Sequence, residues 1–514
     1  MTSRWKFLAI IDESGNTTIT SPREVSTRMT LTQMQRRCLW GFLVLAGILR
    51  VLMIFEIPFT DTTEARYAEI ARKMVETGDW ITPQFDYGVP FWGKPPLHTW
   101  VSAAGMKLFG VGHLGARIFI FLIAVATVWM LYAWAKSFKG RDYALAGIVM
   151  LSSSALFYLA SGTVMTDLVM ASGVFLSMVG FYVAVSGRKH ARIWGYMFFV
   201  GLGLGMLAKG PVAVVLTAIP VGMWVLLKKR WVDTWRNMPW VEGSLLAACI
   251  FLPWYVAAEM KTPGFLEYFI LGEHWHRFLD SGWKGDLYGH GHAETRGTVW
   301  LFWFAAVLPW SFFFLAPLRW GGRIYRGIKS EENGWSLYLL CWALSPMLFF
   351  TMATNIIATY VITGLPAVCF LVIDMWQYAG EGAPTPKRGV VRFYVATVSV
   401  AMLLFTLVYG AAVLGGSSVV QKSQKYLIED ANQIRGTDGG DIYYLDKRYY
   451  SAEFYSAGKV HTVKGLDQLD EILNNGERDF LVLRKNRMAK LPADFLTKFK
   501  LERLYARDAL YYEL

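Results

Sequence analysis

Charged residues are scarce in this sequence, and the motifs of nucleotide-dependent enzymes are missing. Asp, Glu, Lys and Arg make up 18% of its 514 residues, against about 25% in a typical soluble protein. The chain has no phosphate-binding loop, no GxGxxG turn between a strand and a helix, and no GxSxG elbow. Nothing in the sequence therefore supports nucleotide chemistry.

Cysteine is also rare, and its placement excludes the usual cysteine-based sites. The chain has four cysteines, each within an apolar segment and none in a CxxC spacing: Cys38, Cys249, Cys341 and Cys369. A disulfide framework and a cysteine metal site are both disfavoured, because each needs paired or clustered cysteines. We interpret the four as small apolar side chains.

Apolar and aromatic side chains are abundant. The hydrophobic fraction is 54%, with 33 Phe, 22 Trp and 25 Tyr. A soluble core cannot absorb that much apolar surface, so lipid is the expected solvent. The net charge of +12 lies in short basic clusters between apolar runs, which is typical of membrane insertion. A nucleic-acid partner is not expected, because such a surface concentrates its basic residues.

A membrane-spanning helix needs about 20 mostly apolar residues, and this criterion predicts eleven spans. They lie near 38–58, 114–135, 143–160, 164–186, 193–208, 211–227, 241–258, 298–318, 336–353, 357–377 and 390–414. The segment 97–110 is apolar but too short to cross, so we predict a helix in the membrane interface.

The basic residues predict how these spans are oriented. Residues 1–37 carry six of them, which places this segment in the cytoplasm by the positive-inside rule. Alternation from there puts three or four basic residues in every inside loop, whereas the outside turns at 161–163 and 354–356 have none. If 97–110 crossed the membrane, every later loop would change sides, and the basic clusters would lie outside.

This orientation defines the predicted domains. A transmembrane domain over 38–414 carries two long outer loops, 59–96 and 259–297. The tail 415–514 alternates strand-like runs (DIYYLD, KVHTV, DFLVLR) with helical ones (LDQLDEILNN, ADFLTKF). That alternation predicts a small α/β domain outside the membrane.

The first outer loop holds the first candidate residues. It begins as a helix in which Asp61 is placed to cap and Glu64 to complete a capping box, while Glu69 pairs with Lys73. Asp61 is therefore either a helix cap or a carboxylate with a chemical role at the membrane face. The loop ends in Lys94 followed by two prolines, which stiffen the backbone. Lys94 suits a phosphate, or it anchors the chain at lipid headgroups.

Two outside turns carry one ionisable residue each, Asp167 and Lys209. Ionisable groups at span ends within a bundle are candidate functional residues, although a cap and an interfacial anchor are the alternatives. The outer loop 259–297 adds Glu273, His274 and Arg277. Arg277 suits bidentate phosphate binding. No motif requires a cofactor, but a divalent-metal site with Glu273 and His274 as ligands stays open.

At this point the sequence resembles a known family. The run DTTEARYAEIARKMVETGDWITPQF and the later FWGKPPL are similar to the first outer loop of family 39 glycosyltransferases, the protein mannosyltransferase-like membrane enzymes with a GT-C fold. The bacterial lipid A aminoarabinose transferases are the branch closest in pattern. The resemblance continues through SGTVMTD, LAKGPV, EHWHRFL and LFFTMATNIIATYVITGLP, so it covers nearly the whole chain.

The resemblance implies a substrate and a location. The donor would be a sugar on undecaprenyl monophosphate, used at the periplasmic face of the bacterial inner membrane. The acceptor would be lipid A or lipopolysaccharide. A protein acceptor for the same fold, and a transporter or lipid flippase, are the alternatives; the last would place ionisable groups near the midplane and repeat its halves.

The resemblance also implies roles for individual residues. Asp61 matches the proposed catalytic base, and Asp167 matches the second acidic position. The residues that match the surroundings of the donor phosphate are Lys94, Arg277, Tyr360 and Lys209. Glu64, Arg66 and His274 are left with either a substrate-binding or a structural role.

Two departures from the family pattern bear on the substrate. The family usually has an acid before the KPP lysine, where this chain has Gly93. It usually has a lysine shortly before the tyrosine that matches Tyr360, where this chain reads Asn355-Ile-Ile-Ala-Thr. The sugar, and any metal held by that acid, are left open.

Overall fold

The protein is a polytopic helical membrane protein. The computed structural model describes residues 8–11, 17–20, 30–279, 283, 285–289, 294–380, 388–414, 420–435, 440–465, 478–491 and 495–514. Within these ranges seven helices are long and apolar enough to cross a membrane: Gln33–Glu56, His113–Lys139, Thr166–Val185, Ala191–Lys209, Trp240–Lys261, Ala358–Ala379 and Tyr394–Ala411. The last belongs to a longer helix, Arg388–Val413.

The remaining four predicted spans are helical but short, broken or bent. The segment 143–160 forms two helices, Arg141–Ser153 and Ala155–Ala160, and at the break Ser154 donates its hydroxyl to the carbonyl of Leu151. Such side-chain bonds compete with the helical ladder. Helices Val212–Lys228 and Trp335–Phe350 are shorter than the seven, and Thr298–Val307 meets Ser311–Ser330 at 107°. The number of spans therefore stays a prediction.

A glycine-lined contact holds the two central helices together. Helix Thr166–Val185 is buried along most of its length and packs on Ala191–Lys209. A Cβ on Gly201 would lie 2.4 Å from the carbonyl oxygen of Gly173, and one on Gly173 would lie 2.7 Å from the carbonyl oxygen of Gly201. Only glycine permits this approach, as in other small-residue contacts of membrane helices.

The segment 59–96, predicted as the first outer loop, forms a helix and a hairpin, and a second helix follows it. Helix Thr63–Thr77 is followed by strands Gln84–Asp86 and Val89–Pro90 and then by helix Leu97–Phe109. The short helix predicted at 97–110 is confirmed as Leu97–Phe109, whose 13 residues are too few to cross a membrane. Its location in the membrane interface stays a prediction. Further helical segments are Trp231–Asn237, a π-helix Glu267–His276 with Arg277–Leu279, and the 3₁₀ turns Ala316–Trp320, Val420–Lys422 and Lys485–Lys490.

The tail forms a mixed five-stranded sheet. Its strand order is Val460–Val463, Ile442–Leu445, Phe480–Arg484, Asp508–Glu513, Phe499–Leu504. The first three pair in parallel and the last two join antiparallel. The three predicted strands are confirmed. Within ADFLTKF, the helix Phe495–Lys498 is followed by Phe499, which begins the last strand of that order. The predicted helix LDQLDEILNN lies outside the described residues.

The tail packs on the first outer loop. Its helices Lys425–Arg435 and Tyr450–Tyr455 cover one face of the sheet. The Tyr455 hydroxyl accepts a hydrogen bond of 2.7 Å from the backbone N–H of Phe59, and Lys73 lies 3.5 Å from Glu453. These contacts bring the tail to the start of helix Thr63–Thr77, where the candidate residues begin.

Candidate active site

A cavity of about 470 Å³ lies between the first outer loop, the ends of three central helices and the loop after Trp240–Lys261. Eight predicted site residues line it: Arg66, Lys94, Asp167, Lys209, Glu273, His274, Arg277 and Tyr360. The first and the last of these residues in the chain, Arg66 and Tyr360, are more than two hundred residues apart. One wall is apolar and is formed by Met170, Val212, Val215, Leu216, Phe349 and Phe350.

Lys94 and Arg277 meet on one carboxylate, that of Glu273. The ammonium of Lys94 lies 2.6 Å from Oε2 of Glu273. Nη1 of Arg277 donates to both oxygens of the same carboxylate, at 2.9 and 3.0 Å. Two cations that the sequence predicts to bind phosphate thus both contact the carboxylate of Glu273.

The protonation of Glu273 reflects these partners. Burial acts to raise its pKa, but the charges of Lys94 and Arg277 outweigh burial and hold the pKa at about 2. Glu273 is therefore an anion at physiological pH. Asp286 also approaches Arg277, at 3.4 Å from Nη2.

A second ion pair faces the same cavity. The ammonium of Lys209 lies 2.6 Å from Oδ1 of Asp167 and 4.3 Å from the ring centre of Tyr360. Both charged side chains are at most 9% exposed. A buried pair of this kind is costly to separate, since either partner alone would be an uncompensated charge. Tyr360 presents its ring face to Lys209 as a cation–π partner.

The metal site left open by the sequence does not fit the residues present. Nδ1 of His274 lies 2.8 Å from the carbonyl oxygen of Phe269, and Nε2 lies 3.2 Å from that of Lys209. Both ring nitrogens are thus directed at backbone, and Glu273 is already shared by two cations. The described residues contain no group of three metal-ligating side chains. We derive no step through a metal.

The expectation that Asp61 caps its own helix is wrong. Helix Thr63–Thr77 has Thr62 as its N-cap residue and no side-chain cap. Asp61 instead accepts hydrogen bonds from the backbone N–H of Tyr450 at 2.8 Å and from the hydroxyl and N–H of Ser451. It therefore caps the tail helix Tyr450–Tyr455, because that helix end offers free N–H donors.

Asp61 lies beside the cavity rather than in its lining, which begins at Thr62 and Thr63. Burial raises the pKa of Asp61 to about 6, against the opposing effect of the hydrogen bonds from Ser451. A carboxylate with this pKa exchanges a proton near neutral pH, as a general base must.

Glu64 is also absent from the lining, and the predicted capping box does not form. Its carboxylate pairs with Arg117 through two bonds of 2.8 Å and accepts a bond of 3.1 Å from the N–H of Val164. Glu64 thus ties three segments together, which favours its structural interpretation. The predicted pair of Glu69 and Lys73 is confirmed at 3.6 Å.

Arg66 lines the cavity, and several neighbours were missed by sequence reasoning. Arg66 donates to the carbonyl oxygen of Tyr288 at 2.8 Å. The missed lining residues include Asp286, Tyr288, Tyr67 and Tyr450. The dense charge and aromatic content of 283–289 was a signal for the first two, whereas nothing local indicates that Tyr450 of the tail reaches the site.

Comparison with known proteins agrees with this architecture. The family model "Dolichyl-phosphate-mannose-protein mannosyltransferase" matches residues 42–269. The chain is 27% identical over 383 residues to the undecaprenyl phosphate-alpha-4-amino-4-deoxy-L-arabinose arabinosyl transferase of Edwardsiella ictaluri, covering 71% of this chain and 65% of that protein. It is 30% identical over 351 residues to the protein of the same name from Aeromonas salmonicida, covering 65% and 58%. The chain thus spans less than two thirds of the length of these curated relatives.

Solved structures match over more of the chain. The crystal structure of ArnT from Cupriavidus metallidurans bound to undecaprenyl phosphate aligns with a TM-score of 0.74 and 16% identity, covering 92% of this chain and 97% of that one. The apo state of the same protein aligns with a TM-score of 0.72 and 17% identity. The chain therefore has the fold of these ArnT structures, and its resemblance to the protein mannosyltransferase-like GT-C glycosyltransferases is confirmed.

Proposed function

We propose that this protein is a glycosyltransferase that moves a sugar from undecaprenyl monophosphate to lipid A or another envelope acceptor. The observation that carries the proposal is the convergence of Lys94, Lys209 and Arg277 on one cavity with an apolar wall. A polyprenyl phosphate needs cations for its head and an apolar surface for its tail. The arabinosyl transferases at 27–30% identity carry a donor of this class in their names.

The proposed chemistry follows from the leaving group. Breaking the bond between sugar and phosphate leaves a phosphate monoester, whose negative charge grows in the transition state. Cations already in place stabilise that charge, and removing one such contact typically lowers turnover about 10²–10³-fold. Lys94 and Arg277 take this role, Lys209 supports them, and Tyr360 orients Lys209.

The two aspartates have separate proposed roles. Asp61 accepts the proton of a hydroxyl acceptor, which its pKa of about 6 permits. If the acceptor is an ionised phosphate, Asp61 only orients it. Asp167 acts through Lys209, whose ammonium it holds at 2.6 Å.

The proposed location is the bacterial inner membrane, with the cavity and the tail on the periplasmic side and the N-terminus in the cytoplasm. The basic clusters support this orientation. A cysteine placed in the tail, for instance at Ser456, would then react with a membrane-impermeant maleimide in intact spheroplasts. Labelling only after lysis would contradict the orientation.

The acceptor distinguishes two versions of the proposal. The family model that matches residues 42–269 is named for protein mannosyltransferases, so a protein acceptor is the second candidate. The test is to delete the gene and compare lipid A, core glycan and envelope glycoproteins by mass spectrometry. Loss of one sugar would identify donor and acceptor together.

Complementation controls make this test specific. Wild-type protein and Lys107→Ala should restore the sugar, since Lys107 is exposed on helix Leu97–Phe109 and does not line the cavity. Lys94→Ala should not restore it, although it makes the same change 13 residues earlier. Unchanged glycans in the deletion strain, or full restoration by Lys94→Ala, would contradict the proposal.

A further inference from the structure

Glu273 occupies the position that an anionic ligand of Lys94 and Arg277 would take. Its side chain is 3% exposed, and its two oxygens lie 2.6–3.0 Å from donors on both cations. These are the distances at which the same cations bind a phosphate oxygen. The carboxylate thus holds the two cations at a separation that suits one shared anion.

Two nitrogens of Arg277, Nη1 and Nη2, face carboxylates. Nη1 donates to Glu273, and Nη2 faces Asp286 at 3.4 Å. A guanidinium binds phosphate bidentately through two parallel N–H donors. A phosphate that takes the place of Glu273 on Nη1 of Arg277 must therefore displace that carboxylate.

Release of Glu273 would free more cationic donors than release of Asp286. Glu273 contacts both cations, whereas Asp286 contacts only Arg277 and at a longer distance. The hydroxyl of Tyr268 lies 3.4 Å from Oε1 of Glu273, so a neutral hydrogen-bond donor is within reach of the displaced carboxylate.

We propose that Glu273 is an exchangeable counter-anion: it holds Lys94 and Arg277 together while the site is empty and yields them to the donor phosphate. This inference rests on the proposed function and makes Glu273 a positioning residue. Without Glu273 the two cations repel each other, so the site starts less organised for the transition state. With it, the incoming phosphate must displace a carboxylate, and its affinity is lower than the cations alone would allow.

The test is the binding of undecaprenyl phosphate to purified protein in detergent, together with steady-state kinetics. Glu273→Gln keeps the shape but removes the competing charge, so it should bind undecaprenyl phosphate about tenfold more tightly, which is the scale of one charge-assisted hydrogen bond. Its KM for the donor should fall along with kcat. A residue with a merely structural role would instead raise KM or leave binding unchanged.

Matched variants separate the possible failures. Glu267→Gln removes the same charge from an exposed position on the same π-helix and should leave the affinity unchanged. Glu273→Asp keeps the charge on a shorter arm and should bind undecaprenyl phosphate with an intermediate affinity, which gives a second reading if Glu273→Gln does not fold. Equal or weaker binding by the Glu273 variants, with a wild type that binds, would overturn this inference alone. A wild type that does not bind undecaprenyl phosphate would overturn the proposed function.

Discussion

The ammonium of Lys209 lies 2.6 Å from the carboxylate of Asp167, across the two helices whose glycines touch. Lys209 ends helix Ala191–Lys209, and Asp167 lies in the first turn of Thr166–Val185. The close helix contact therefore brings a cation and an anion together at one end of the cavity.

This pair should be strongly coupled in stability. Lys209→Met leaves the Asp167 carboxylate buried without its countercharge, so we expect the free energy of unfolding to fall by about 3–5 kcal/mol. The double variant Asp167→Asn/Lys209→Met leaves no charge at these two positions and should recover most of that loss. Unfolding in detergent measures both, and a double variant no more stable than Lys209→Met would show that the pair is not coupled.

Lys94 and Arg277 should each contribute strongly to turnover. We expect Lys94→Ala and Arg277→Ala to lower kcat about 10²–10³-fold, because each removes a cation that stabilises the leaving phosphate. Transfer from a polyprenyl-linked sugar by purified protein measures this effect. Lys107→Ala is the matched control and should retain wild-type kcat. Comparable rates in all four proteins would exclude the phosphate-binding role.

With a hydroxyl acceptor, Asp61 should set the acidic limb of the pH–rate profile. A general base works only when deprotonated, so with a pKa of about 6 the rate should rise with pH through that value and level off above it. Asp61→Asn should lose this limb along with most of the rate. A limb that persists in Asp61→Asn would assign it to another group.

Ser451 should tune the same limb. Its hydrogen bonds to the Asp61 carboxylate lower the pKa of that group, so Ser451→Ala should raise the pKa and move the limb to higher pH. Ser456→Ala is the control, since Ser456 lies on the same tail segment but bonds to Glu453. An unmoved limb in Ser451→Ala would show that the tail does not act on Asp61.

The glycine contact between the central helices gives a stability prediction. Gly201→Ala places a methyl group 2.4 Å from the carbonyl oxygen of Gly173, so we expect a loss of about 1–3 kcal/mol in the free energy of unfolding. A Cβ on Gly222 meets nothing within 4 Å, and Gly222→Ala should stabilise its helix by up to about 1 kcal/mol. Equal effects of the two variants would contradict the close packing.

Sequence reasoning located most of the site but not its pairings. Asp167 and Lys209 were selected because ionisable groups at span ends within a bundle are candidate functional residues. Lys94 and Arg277 were selected because their cations suit a phosphate. All four line the cavity. The partner of Lys94 lies 179 residues away. No local pattern indicates such a contact, since it depends on how the helices pack.

Asp61 shows where local rules mislead. Its spacing to Glu64 satisfies a capping box, yet its carboxylate caps a helix about 390 residues later, and Glu64 pairs with Arg117. Asp61 could cap its own helix or the tail helix equally well on local grounds, because any free helix N-terminus can bind a carboxylate. The docking of the tail on the first outer loop decides between them.

The sequence by itself determined that the chain belongs in a membrane, where most of its helices run and where three of the five strands of the tail lie. The free energy of transferring a segment to lipid is a sum over its residues, and the spacing of apolar residues indicates a helix or a strand. Both can therefore be read from the order of residues alone. Only the tertiary structure decided that Glu273 joins Lys94 to Arg277 and that Asp61 binds the tail. Those contacts depend on distances between segments far apart in the chain, which helix packing sets and no local pattern encodes.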